Sequence, residues 1–95
     1  IRQIISGANS RNYLFKASIE YLWNIFEKQN KKCALSGVDI DFKNKTASLD
    51  RIDSTKGYLE NNIQWVHKIV NQMKSNRTDK EFIEWCNKIS NYNKK

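Results

Sequence analysis

The sequence predicts a small α+β domain. Two stretches carry apolar residues at helical spacing: Ile19, Leu22, Trp23 and Phe26 in the first half, and Phe82, Ile83, Trp85, Cys86 and Ile89 in the second. Between them two short runs, 47–52 and 62–66, have strand character and flank a polar loop that pivots on Gly57. At 95 residues a single core is feasible but thin. A hydrophobic fraction of 39%, with 12% aromatic, argues for a folded chain, and the tryptophans, tyrosines and phenylalanines carry much of its core.

Taken in order, residues 1–17 form an N-terminal arm of mixed polarity. Gly7, Asn9, Ser10 and Asn12 favour turns there, and Arg2, Arg11 and Lys16 either touch phosphate or stay solvated. The domain proper is 18–95. Ser18 is placed to cap a helix over 19–30, with Glu20 in its first turn, where a negative charge suits the helix dipole. After a turn at Gly37, the alternation of Val38, Ile40 and Phe42 predicts a short extended segment, with Asp39 and Asp41 on its solvated face rather than on a metal. A strand, a return strand and a helix then occupy about 47–75. Thr78 with Glu81 makes a capping box that opens a last helix over 79–90, whose apolar residues complete the core, before a polar tail.

Lysine and arginine number 17 against 10 acidic residues, a formal charge of +7, which points to a polyanionic partner. Nucleic acid fits better than a membrane, because no apolar run approaches the roughly 18 to 20 residues a span requires and no signal-peptide pattern opens the chain. Cys33 and Cys86 stand far apart with no CxxC pair, so they offer no cysteine-based zinc site and suit reduced thiols in an intracellular protein. The absence of an initial methionine suggests a piece of a longer chain.

Candidate chemistry concentrates in 47–75. His67 and Asn71 are four apart, hence on one face of a helix, and Asp50 comes from a strand expected against that helix. A carboxylate, an imidazole and an amide oxygen on one point would hold a divalent ion, magnesium or manganese first, with zinc or nickel admitted by the imidazole. Arg51, Lys68 and Lys74 surround that point with positive charge, and Lys56 and Arg77 extend it. Together these suit binding and hydrolysis of a phosphodiester. Each residue also has a structural reading: Asp50 and Arg51 as a strand-end ion pair, Asp53 and Ser54 as a turn, and His67 as a cap or packing residue. Asn62 bonds backbone across the loop, and Trp65 and Val66 are core.

The spacing of Asp50, Asn62 and Asn71, with Lys74 beyond, resembles the HNH endonuclease family over about residues 33–74. The resemblance implies a ββα-metal (HNH/His-Me finger) domain with flanking helices, acting on DNA with its helix along the backbone at the minor groove. It implies one divalent metal ion, magnesium or manganese, on Asp50 and Asn71, with His67 as third ligand or base and Asn62 bracing the loop. It also implies a phage, mobile-element or restriction setting. Two departures stand out. Where many members carry two zinc-binding CxxC pairs, this chain has Cys33, Ser36, His67 and Val70, so no structural zinc is expected. Where the family's general base, a histidine, follows the aspartate, this chain has Arg51, which stays protonated and cannot take a proton. His67, the single imidazole, is then the first candidate base and Tyr58 the second, with Arg51 binding phosphate. The expected function is a divalent-metal-dependent DNA endonuclease. The alternatives are a catalytically inactive nucleic-acid-binding module, in which Arg51 marks lost activity, and a protein-interaction domain whose charge serves solubility. So small a domain has little surface for reading bases, so sequence preference is expected from a longer chain or a dimer.

Overall fold

Ser18 opens the first helix as its position predicts. In a computed structural model, which describes residues 15–94, Ser18 is extended and its hydroxyl accepts the Tyr21 N–H at 3.0 Å. Helix α1 (Ile19–Lys28) follows and buries Leu22 and Phe26. It stops two residues short of the expected end, because Gln29 caps it and Asn30 and Lys31 both take left-handed φ values, 55° and 58°, that reverse the chain. Most of the arm, residues 1–14 with Arg2 and Arg11, lies outside the described residues. Its last part is β1 (Phe15–Lys16), which pairs in parallel with β3 (Tyr58–Leu59) in the loop. The sequence reading gave no hint of this pairing, since two-residue strands leave no period.

The centre of the fold is an antiparallel hairpin of β2 (Ala47–Arg51) and β4 (Ile63–His67). Its register pairs Ala47 with His67, Leu49 with Trp65, Asp50 with Gln64 and Arg51 with Ile63. Opposed residues share a face and successive residues alternate. One face therefore carries Ala47, Leu49, Arg51, Ile63, Trp65 and His67, and the other carries Ser48, Asp50, Gln64 and Val66. The first packs on α1: the Trp65 indole, fully buried, donates Nε1–H to the Leu22 carbonyl at 2.9 Å. Trp65 also joins Phe26 and Phe42 in edge-on ring contacts, with centroids 6.0 and 5.0 Å away. The outer edge of β4 is closed by Gln29, whose side-chain amide donates to the Trp65 carbonyl at 2.9 Å and accepts its N–H at 3.0 Å. A side chain thus stands in for a missing strand: it satisfies the Trp65 N–H and shares the Trp65 carbonyl with the Ala34 N–H, which donates to it at 2.9 Å.

The second face lies under helix α2 (Lys68–Lys74), which His67 caps through Nδ1, accepting the Ile69 N–H at 3.1 Å. Helix α3 (Asp79–Asn93) begins with the predicted cap, the Thr78 hydroxyl accepting the Glu81 N–H at 3.2 Å, and runs three residues further than expected. The result is an α+β fold.

Two expectations are corrected. The alternation at 38–42 makes only a single bridge, Lys32 to Asp39, after which the Asp41 carboxylate accepts the Asn44 N–H at 2.7 Å and folds the chain into a turn. Three alternating apolar residues are too few to hold a strand against that turn chemistry. Asp39 pairs with Lys32 at 2.7 Å, so both aspartates have local structural roles. The apolar face of α3 does not complete the core either: Phe82 is buried, but Ile83, Trp85 and Ile89 are 44%, 51% and 61% exposed. Only the first turn of α3 reaches the hairpin, where the Asp79 N–H donates to the Ile52 carbonyl.

These burials set a contrast. Leu22→Ala is expected to lower unfolding free energy by about 2–5 kcal/mol, while Ile89→Ser stays within about 0.5 kcal/mol. Urea denaturation followed by tryptophan fluorescence measures both, and a large loss with Ile89→Ser would show that α3 packs as core.

Candidate active site

Asn62 organises the loop between β2 and β4. Buried at the start of the return strand, its amide oxygen accepts the Asp53 N–H at 2.9 Å, and its amide nitrogen donates to the carbonyls of Asp53 and Gly57 at 3.0 and 2.9 Å. Three hydrogen bonds to backbone hold its amide, so its role is to brace. Asp53 adds a local turn: Oδ1 accepts the Thr55 N–H at 2.9 Å and the Thr55 hydroxyl at 2.6 Å, and these bonds hold the Asp53 carboxyl below the ordinary aspartate range. The braced loop presents Tyr58 toward Arg51. The Arg51 guanidinium donates to the carbonyls of Ser54 and Lys56 at 2.8 and 3.1 Å and lies over the Tyr58 ring, 5.5 Å from its centroid.

A cleft of about 260 Å³ opens at this end of the hairpin, lined among others by Asp50, Arg51, Tyr58, Asn71 and Ser75. Asp50 enters it from β2 and Asn71 from α2. The Asn71 amide nitrogen donates to the Ser48 hydroxyl at 2.6 Å, which turns the amide oxygen the other way. Two oxygen donors and room for water form a donor set that suits a hard divalent cation, which keeps part of its water shell and takes few protein ligands. No cluster of three or more His, Cys, Asp or Glu side chains is found among the described residues.

Asp50 is held by a buried charge network. Lys74, 0% exposed, donates to Asp50 Oδ2 at 2.7 Å, to Asp79 Oδ1 at 2.6 Å and to the Arg51 carbonyl at 2.5 Å, which uses all three hydrogens of its ammonium. The Gln64 amide nitrogen donates to the same Asp50 Oδ2 at 3.0 Å and to the Asp79 carboxylate at 2.9 Å. Oδ2 thus takes two donors, and Oδ1 is left for the cleft. Burial pushes the Asp50 carboxyl above the ordinary range, the Asp79 charge adds to this, and the Lys74 and Gln64 bonds only partly pull it back.

The structure thus divides the expected residues. Asp50, Arg51, Tyr58 and Asn71 share the cleft, with Asn62 behind them. His67 does not join them. Its partner in the ladder is Ala47, three steps from Asp50 and so about 10 Å along the strand, on the opposite face of the hairpin. Helical spacing of His67 and Asn71 requires a helix that begins at His67. It begins at Lys68 instead, and the strand's alternation, not the helix, aims the imidazole. Lys74 is corrected as well: an ammonium with three internal acceptors and no exposure is not a phosphate contact. Lys56, Lys68 and Arg77 are exposed. Gln64 and Asp79 escaped the sequence reading. Gln64 was open to discovery as the residue opposite Asp50 once a register is assumed, whereas Asp79 read only as a first-turn acid of α3.

Cys33 and Cys86 are both free. At Cys33, burial works to raise the thiol, but hydrogen bonds from Ser36, His67 and Leu35 outweigh it and set it below its ordinary value. The Ser36 N–H donates to Sγ at 3.3 Å.

No known family's sequence profile matches the chain. It is 33% identical over 81 residues to an uncharacterized 29.0 kDa protein of Enterobacteria phage T4, in the dda-modA intergenic region, with 83% of this chain and 32% of the phage protein covered. The chain thus spans about a third of the length of that relative. No helix among the described residues is long and apolar enough to cross a membrane.

Two predictions follow from the network and the loop. Lys74→Ala leaves two partly buried carboxylates facing each other and is expected to cost about 3–5 kcal/mol, measured by urea denaturation of the metal-free protein. In a carboxyl carbon-13 NMR titration, Asp53 titrates below the ordinary aspartate range and Asp50 above it. The signs for stability are opposite. Asp53 supports the fold at neutral pH, and that support is lost as pH falls through its lowered folded value. Asp50 weakens the fold as pH rises from the ordinary aspartate range through its raised value. Equal midpoints for the two would contradict the burial assigned to Asp50.

Proposed function

We propose that the chain is a divalent-metal-dependent DNA endonuclease domain in which the β2–β4 hairpin and α2 form a ββα-metal finger. The observation that supports this best is the meeting of Asp50 and Asn71 in one polar cleft beside Arg51 and Tyr58. Asp50 and Asn71 would hold a magnesium or manganese ion through one oxygen each. The ion would supply a Lewis acid for charge developing on the phosphate and its leaving oxygen.

The other side chains take complementary roles. The Arg51 guanidinium, fixed by two loop carbonyls and the Tyr58 ring, binds a phosphate oxygen at the rim. Arginine holds its proton, so the base falls to another group, and Tyr58 is the titratable residue of the cleft that stands against Arg51. As a phenolate, its oxygen would accept the proton of the attacking water. His67, remote on the ladder, serves as the α2 cap. Lys56, Lys68 and Arg77 supply exposed charge for the DNA backbone, a contact that positions without reading sequence. No structural zinc enters this reading: Ser36 and Val70 offer no strong ligand beside Cys33. The chain matches a third of the length of a phage protein, which supports a phage setting and target selection by a longer protein.

Plasmid cleavage tests the proposal. Nicking that requires manganese or magnesium is expected, abolished by Asp50→Ala. Tyr58→Phe is expected to lower kcat by about 10²–10⁴ at saturating metal, and His67→Ala to leave it within a few-fold. Salt-dependent DNA binding with no cleavage under any metal would instead identify an inactive binding module.

A further inference from the structure

The buried network around Lys74 does something that a surface ion pair could not. Lys74 comes from the last turn of α2, Asp79 from the first turn of α3, Gln64 from β4 and Asp50 from β2, and all four meet within hydrogen-bond distance. Two donors, the Lys74 ammonium and the Gln64 amide, fall on the same oxygen of Asp50. A carboxylate pinned through one oxygen cannot rotate to offer both. The ammonium also bridges the Asp50 and Asp79 carboxylates and the Arg51 carbonyl, which ties the position of Asp50 to α2 and α3.

We infer that Lys74, with Asp79 and Gln64, is a positioning device that fixes Asp50 as a one-oxygen ligand. The inference rests on the metal-dependent reading above and adds to it the residues that set the geometry of its acidic ligand. Lys74, Asp79 and Gln64 are not catalytic residues, since each acts through Asp50. Partners of this kind fix the orientation of a ligand, and their loss weakens metal affinity by about 10- to 100-fold.

The test is a binding measurement. Lys74→Met with Asp79→Asn removes one positive and one negative charge, so the buried trio keeps its net charge of −1, carried by Asp50 alone with Gln64 as its remaining donor. Manganese titration followed by electron paramagnetic resonance and calorimetry, without DNA, is expected to show one ion on the unaltered protein. The double variant is expected to bind it about 10- to 100-fold more weakly. Gln64→Met, on the partly exposed side of the network, is expected to weaken the single ion in the same direction by a smaller factor, and it provides the reading should the double variant not fold. One ion bound with unchanged affinity in the folded variants overturns the inference and leaves the endonuclease reading standing. Absence of manganese binding by the unaltered protein, with no cleavage, overturns both.

Discussion

The five-pair register of β2 with β4 is the constraint on which the rest of the structure depends. It decides that Trp65 and Leu49 face α1 while Asp50 and Ser48 face α2. A slip of one residue would exchange the two faces, sending Asp50 toward the aromatic core and Trp65 toward the polar cleft. Two side chains lock it. Asn62 sets the length of the loop by bonding backbone at Asp53 and Gly57, and Gln29 grips both polar groups of the Trp65 backbone from α1. Neither makes chemistry, yet the cleft exists only in the register they hold.

Hydrophobic burial and buried charge divide the labour between the two faces. The α1 side is closed by Leu22, Phe26 and Trp65 and supplies the apolar burial that offsets chain entropy. The α2 side has less apolar surface and depends on Lys74 instead. Desolvating an ammonium is unfavourable, and it is tolerated here because every hydrogen finds an acceptor, two of them anionic. That network is also the joint at which β2, β4, α2 and the start of α3 are tied. Beyond its first turns, α3 carries Trp85 and Ile89 in the open, so its amphipathic pattern reflects something other than the core of this domain.

Much of this was legible from residue patterns. The caps at Ser18 and Thr78 and the bracing by Asn62 rest on local chemistry, in which a side chain bonds backbone a few residues away, and the hairpin around 47–66 follows from strand pattern on either side of a polar loop. The placement of Asp50 with Asn71 was legible too, from the order of strand, strand and helix. The errors fell where the pattern was local but the outcome was not. His67 and Asn71 satisfy helical spacing, but the residue that starts a helix can still be aimed by the strand before it. Lys74 looked like any surface lysine, because nothing in its neighbours announces two aspartates 24 residues behind it and five ahead.

By itself, then, the sequence determined the elements, their caps, the loop brace and the polar residues available for chemistry, because those follow from periodicity and short-range hydrogen bonding. Only the tertiary structure decided which of them meet. Register and packing are long-range matters: they placed Tyr58 with Arg51 in the cleft, left His67 outside it, and buried Lys74 against Asp50 and Asp79, since a charge is driven inside only when several distant acceptors are assembled around it at once.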